Sequence, residues 1–242
     1  MLTHAPTHNT HNMKLLSVSV DAKTIKSEKF GYLTGILYLA PSDESKVINT
    51  CPNASEGCRI ACLYSAGRGA FNSVKKARTN KTIWFKKDRK GFMDQLDKDI
   101  TALVKKATKD NMIPCVRLNG TSDLPWENIR FEDGKNIMER HSSIQFYDYT
   151  KSSARIGLFL DKKLPSNYHL TFSRSESNAK TALSLFDKGA TVAIVYYSIP
   201  VLPKVVTGDE SDLRFLDPSN SIIALKAKGK GKKDQSGFVV TV

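Results

Sequence analysis

The sequence predicts an α/β fold, a parallel (β/α) barrel-like sheet or partial barrel in a single domain over residues 14–242. Three observations carry this expectation. Runs rich in β-branched and aromatic residues alternate with helical runs through most of the chain, at the spacing of βαβ units. One run, TVAIVYYS at 191–198, is almost continuously apolar, as in a strand covered on both faces. Polar clusters follow the strands, where parallel α/β folds keep their reactive rim. A dinucleotide-binding sheet is disfavoured because no G-x-G-x-x-G occurs; KGKGKK at 228–233 has the wrong spacing and follows the last clear strand.

Taken in order, residues 1–13 are polar, with His4, His8 and His11, and read as a disordered tail. LLSVSV (15–20) and GYLTGILYLA (31–40) have strand composition bounded by Gly and Pro. PSDESKVINT then leads to a cysteine-bearing loop. A helix is expected over 71–87, anchored by Val74, Ala77, Trp84 and Phe85. A second carries Phe92, Met93, Leu96, Ile100, Leu103, Val104 and Ala107 on one stripe, and Gly91 is expected to divide the two. MIPCVRLNG is a strand, GKNIMERH a helix, IQFYDYT and YHLTFSRS two further strands. SNAKTALSLFDKG reads as an amphipathic helix closed by Gly189. SIIALKAK is the final strand.

Composition narrows the function classes. With 40% hydrophobic and 25% charged residues in 242, the chain is not wholly disordered. No run of about 18 apolar residues is present, so no bilayer span is expected. MLTHAPTHNTHN lacks the cationic and apolar regions of a secretory signal, and a cytoplasmic protein without membrane contact is expected. The net charge of +13 makes polyanions natural non-specific partners.

The strongest chemical signal is CPNASEGCRIAC, which gathers Cys51, Cys58 and Cys62 in C-x6-C-x3-C spacing. A reducing compartment keeps such thiols free, and their clustering favours metal ligation. Structural zinc uses paired C-x2-C knuckles, and none occurs here. Three thiolates from one compact glycine-flanked loop suit a 4Fe–4S cluster, each thiolate on its own iron. Arg59 and Arg68 are placed to offset the thiolate charge. Cys115 is the obvious fourth thiol, but it sits four residues before Asn119 in its strand, about 13 Å down at 3.3 Å per residue. It reads as a buried small hydrophobe. That leaves one iron for water, a rim side chain or an exogenous small molecule, an arrangement suited to Lewis-acid chemistry.

The rim expected to face this cluster comprises Asn119, Asp123, Asp148, Tyr149, Lys151, Ser173, Glu176 and Lys226. Asp123 or Glu176 would serve as acid or base, and Lys151 or Lys226 would hold an anionic small molecule. Two basic segments suggest a different function. Residues 75–109 hold twelve Lys/Arg against four Asp, and 226–233 hold five Lys. Such segments contact nucleic acid through phosphates, without sequence reading. The alternative to an iron–sulfur protein is therefore a nucleic-acid-binding accessory protein with a structural zinc.

CPNASEGCRIACLYSAGRG, VRLNGTSDLPWE, QFYDYTK, NYHLTFSRSESN, GDESDLRFLDP and LKAKGKGKKDQSGFV, in this order, resemble the phage gene product 88 family over roughly residues 30–240. The resemblance implies a phage-type cysteine-cluster protein of α/β layout, acting in the cytoplasm of an infected host. It also implies that Cys51, Cys58 and Cys62 belong to the shared motif while the position of Cys115 does not require cysteine. A looser likeness in layout is to radical S-adenosylmethionine enzymes, which place three cysteines after the first strand of a parallel barrel. Their C-x3-C-x2-C spacing and glycine-rich methionine-binding pattern are not matched here, and shared layout carries no reaction with it.

Overall fold

The computed structural model describes residues 13–242. The expected tail, with His4, His8 and His11, lies outside the described residues except for Met13, which packs against the main core. One sheet contains β1 (Leu16–Val18), β2 (Tyr32–Leu37), β3 (Ile113–Arg117), β4 (Gln145–Thr150), β5 (Tyr168–Ser173), β6 (Val192–Tyr196), β7 (Val205–Thr207) and β8 (Ile222–Lys226). Their spatial order is β1-β2-β3-β4-β5-β6-β8-β7. Only β1 runs antiparallel to its neighbour; every pairing from β2 onward is parallel.

From β1 to β6 the order never reverses. Doubly wound sheets reverse strand order and so collect helices on both faces. Here, right-handed crossovers repeated in one direction put the connecting helices on one face. These are α3 (Asn72–Lys87), α4 (Arg89–Lys109), α6 (Ser153–Leu160) and α7 (Ala179–Asp187). Their apolar stripes, including Phe85, Phe92, Leu96, Ile156 and Leu185, form one core with Leu33, Val116, Phe146, Leu170 and Val192 of the sheet. The sheet stays open, with β1 and β7 as its edges. This is the partial barrel that the sequence predicts.

The opposite face is the inner one. Cys115 and Tyr147 pack there with Leu213, Tyr32 and Phe215, and segment 208–217 covers them. Strand alternation sets Tyr147 and Tyr149 inward while Phe146 joins the helix-side core.

Some boundaries differ from expectation. The break between α3 and α4 falls at Asp88, not at Gly91. Asp88 adopts φ −138° and its carboxylate accepts from the Gly91 N–H at 2.9 Å; a side-chain cap decides the start of a helix, and Gly91 is merely its third residue. Gly189 does follow α7, at φ +96°, where a left-handed residue ends a helix without Cβ strain. The short helices α1 (Ala22–Glu28) and α2 (Glu56–Ile60), together with α6 and β7, are additional to the sequence reading, whereas α5 (Ile137–Arg140) matches it. α1 starts on a capping box in which Asp21 accepts from Thr24 N and Thr24 Oγ1 accepts from Asp21 N.

Candidate functional site

The chain leaving β2 is tied down before it reaches the cysteines. Thr50 Oγ1 donates to Ala40 O at 2.6 Å, and Asp123 N donates to Thr50 O at 2.8 Å. Cys51 Sγ lies 3.6 Å from Thr121 O, in the loop after β3. Cys58 is the third residue of α2, whose N-cap Ser55 accepts from the Cys58 N–H. Glu176, just after β5, accepts from Ser55 Oγ at 2.8 Å and Gly57 N at 2.9 Å. The loop is thus held to two different strand ends.

A strap over 234–240 completes one wall. Phe238 and Val239 pack with Ala61 and Ala227, against Cys58 and Val195. Val240 N donates to Val195 O at 2.8 Å, Tyr197 N donates to Val240 O at 3.1 Å, and Arg174 donates to Gly237 O and Phe238 O. A Cβ on Gly57 would fall 2.1 Å from Ser236 Oγ and 2.8 Å from Phe238 Cβ. Gly57→Ala is therefore expected to push this strap away at a cost of about 1–3 kcal/mol. Thermal unfolding should show a drop of about 2–12 °C. Gly157→Ala, in the interior of α6 with open space around its Cβ position, is the control and should be neutral or slightly stabilising.

Cys51, Cys58 and Cys62 line one cavity of about 290 Å³ at the C-terminal ends of the strands. All four cysteines are free thiols. Burial pushes the Cys51 thiol up to about 11 and raises Cys62 as well, and neighbouring thiolates add to both shifts. Cys51 and Cys62 are therefore protonated near neutral pH, and a metal would have to displace those protons. Among the described residues, no group of three or more His, Cys, Asp or Glu converges on a point that holds a metal ion. Cys115 is fully buried with Sγ 3.1 Å from Thr34 Oγ1, in line with its depth in the strand, and it does not line the cavity.

Of the rim residues expected from sequence, Asn119, Asp123, Tyr149, Lys151, Ser173 and Lys226 line the cavity with the three cysteines. Asp148 and Glu176 do not. Asp148 still belongs to β4, so alternation turns it away from Tyr147 and Tyr149. It accepts from Asn119 N at 2.6 Å, Asn119 Nδ2 at 3.2 Å and Tyr168 OH at 2.8 Å, while burial pushes its carboxyl up to about 7. Glu176 is occupied in clamping α2. Asp123 is occupied too, by Arg155 Nη1 at 2.9 Å and Lys151 N at 2.9 Å. Neither expected acid or base is free for that role. Asn119 Oδ1 accepts from Ser122, Leu124 and Trp126, which makes it a loop organiser. Lys151 Nζ donates to Ser173 Oγ at 2.9 Å.

Arg59 and Arg68 do not offset the thiolates. Arg59 pairs with Asp43 at 2.9 Å and Arg68 donates to Val20 O. A buried cation that does act on Cys62 is Arg78. It lies 4.7 Å from the Tyr38 ring and 5.7 Å from the Tyr64 ring, with no partner for Nε or Nη1. The cavity also contains Lys23, Arg117 and Asp212, which the sequence reading passed over. Arg117 Nη1 bonds Asp212 Oδ2 at 2.7 Å, and Lys23 Nζ lies 3.8 Å from Asp212. An arginine inside an otherwise apolar strand was the available signal for this group. The basic helices are less free than their composition implies: Lys90 pairs with Asp94, Lys106 with Asp110, and Lys81 donates to Leu15 O.

Fold and site together define a class: a one-way-wound α/β partial barrel with a cysteine loop and a cation-rich cavity at the strand ends. Among the described residues, no helix is long and apolar enough to cross a membrane. The chain belongs to the phage Gene product 88 family, whose model matches residues 12–242. No curated protein and no solved structure matches it.

Proposed function

We propose that this chain is an iron–sulfur protein in which Cys51, Cys58 and Cys62 hold a 4Fe–4S cluster, with the fourth iron open to an anionic small molecule in the cavity. The observation that carries the reading is that three cysteines of one short loop line a single cavity at the strand ends. A single zinc at about 2.3 Å from each sulfur needs the sulfurs about 3.8 Å apart. A cuboidal cluster instead takes each thiolate at a separate iron. Arg78, buried with no hydrogen-bond partner for Nε or Nη1 and acting electrostatically on Cys62, supports the reading as well, because buried donors without a partner are costly and a thiolate cluster is negative.

When bound, the cluster would supply an electron or a Lewis-acidic iron at its open corner. The chain's own residues do the rest. Arg78 and Lys151 balance the thiolate charge, Glu176 and Ser55 fix the helix that carries Cys58, and the 234–240 strap keeps bulk water from that wall. Free thiols fit a reducing compartment, here the cytoplasm of the infected host.

Anaerobic purification followed by iron and sulfide assays tests the proposal. The expected product is brown, with broad visible absorbance and a paramagnetic signal on reduction. Colourless protein carrying one zinc per chain would end the iron–sulfur reading and favour the accessory protein with a structural metal.

A further inference from the structure

We propose that Lys23, Arg117 and Lys228 form a phosphate subsite that takes the dianionic group of a small phosphate monoester, whose remainder extends towards the cysteine wall. The inference rests on the reading of this cavity as the working site, and it is independent of which metal the cysteines hold.

The charges are arranged in two groups. Lys23 has Arg117, Asp212, Asp21 and Lys228 as charged neighbours, whereas Cys62 has Arg78 and Lys151. Around Lys23 the cavity wall carries Lys23, Lys26, Arg117, Lys226 and Lys228 against Asp209 and Asp212. Five cations against two carboxylates leave an excess that a dianion offsets more fully than a monoanion does. The third carboxylate of the wall, Asp123, is already neutralised by Arg155 at 2.9 Å.

Lys228 Nζ is already paired with Asp209 Oδ1 at 2.6 Å and would have to share that contact, whereas donors remain open on Arg117 and Lys23. Arg117 is only 5% exposed, lines the cavity and has no partner for its Nε. Its Nη1 is anchored by Asp212 at 2.7 Å and its guanidinium lies 4.6 Å from the Tyr149 ring, so its plane is fixed before any ligand arrives. That is the property that makes arginine suited to phosphate. Lys23 Nζ, at 3.8 Å from Asp212, is beyond hydrogen-bond distance. Burial, with Arg117 adding to it, brings Lys23 down to about 8, and an arriving anion would relieve that cost. A volume of about 290 Å³ is close to the low end of small-molecule sites, about 300–1,000 Å³, and suits a small monoester.

Calorimetric titration of the full chain with inorganic phosphate tests this, followed by glycerol phosphate, acetate, chloride and an oligonucleotide lacking terminal phosphates. Saturable phosphate binding is expected, with acetate and chloride at least about tenfold weaker. Lys23→Met should weaken it by about tenfold, the scale of one lost charge-assisted bond, and Lys228→Met should weaken it less. Lys180→Met, on the exposed face of α7, should leave it unchanged. Folding of each variant is checked by thermal unfolding. The same titration is repeated after dialysis against a chelator. Lys23-dependent phosphate binding in protein that never carries iron would leave this subsite standing while the cluster reading falls. Iron-loaded protein with no phosphate heat would do the reverse. Binding that is indifferent to Lys23→Met, or an oligonucleotide that competes as well as phosphate, would overturn the subsite.

Discussion

Cys58→Ser is expected to abolish cluster assembly, taking the protein from about four iron and four sulfide per chain to a small residue of each. The substitution is nearly isosteric, and the Cys58 N–H keeps its bond to Ser55 Oγ at 3.3 Å, so α2 should persist while the soft ligand disappears. Cys51→Ser and Cys62→Ser should behave alike, since both line the same cavity. Cys115→Ala should retain its iron. That thiol is fully buried, bonded to Thr34 Oγ1 and outside the cavity, so its removal leaves only a small void worth about 1 kcal/mol. Iron and sulfide assays with paramagnetic spectra of the four variants decide the matter. Iron lost from Cys115→Ala but kept in Cys58→Ser would mean the ligand set is wrong.

Arg155→Met is expected to destabilise the fold by about 3–5 kcal/mol, the usual cost of stranding the other half of a buried ion pair. Arg155 is 6% exposed. Its Nε and Nη2 grip Glu127 at 2.6 and 2.9 Å, its Nη1 reaches Asp123 at 2.9 Å, and its Nη2 also reaches Tyr168 OH at 2.9 Å. Met fills much of the volume but leaves two buried carboxylates without a cation. At about 2–4 °C per kcal/mol, the melting temperature should fall by roughly 6–20 °C. Arg155→Lys should recover only part, because a single ammonium cannot reproduce the fork on Glu127 and still reach Asp123. A fall under about 3 °C would show that water relieves the two carboxylates. The effect reaches the cavity directly, since Asp123 also fixes the Lys151 backbone at 2.9 Å.

Much of this architecture was legible because the strand runs are long enough for composition and flanking turns to agree. Their alternation with helices implied a parallel sheet, whereas the one-way winding from β1 to β6 is a matter of strand order, which alternation leaves open. What escaped did so for definable reasons. α1 has seven residues, too few to establish a periodic stripe, and its sign is the Asp21–Thr24 cap rather than any apolar pattern. Asp148 was grouped with the rim because it stands near the end of IQFYDYT. It remains within the strand, where parity and not proximity to the end decides the face. Arg117 stands in a strand run and Asp212 lies 95 residues further on in no assigned element, and only the fold brings them to 2.7 Å. The cysteine spacing singled out the loop, but what holds that loop in place, Glu176 behind α2 and the distant strap in front, depends on tertiary contacts that spacing does not encode.

The strap has a consequence for the order of assembly. Cys51, Cys58 and Cys62 leave the ribosome long before residues 234–240, so the thiols stay open to solvent, oxidants and adventitious metals while the rest of the chain is still being made. The finished pocket exists only after elongation has passed Val240, so a ligand that needs all of its walls can enter only after translation. In the interval between those two moments Cys58 lacks the packing of Phe238 and Val239 that covers it in the finished fold.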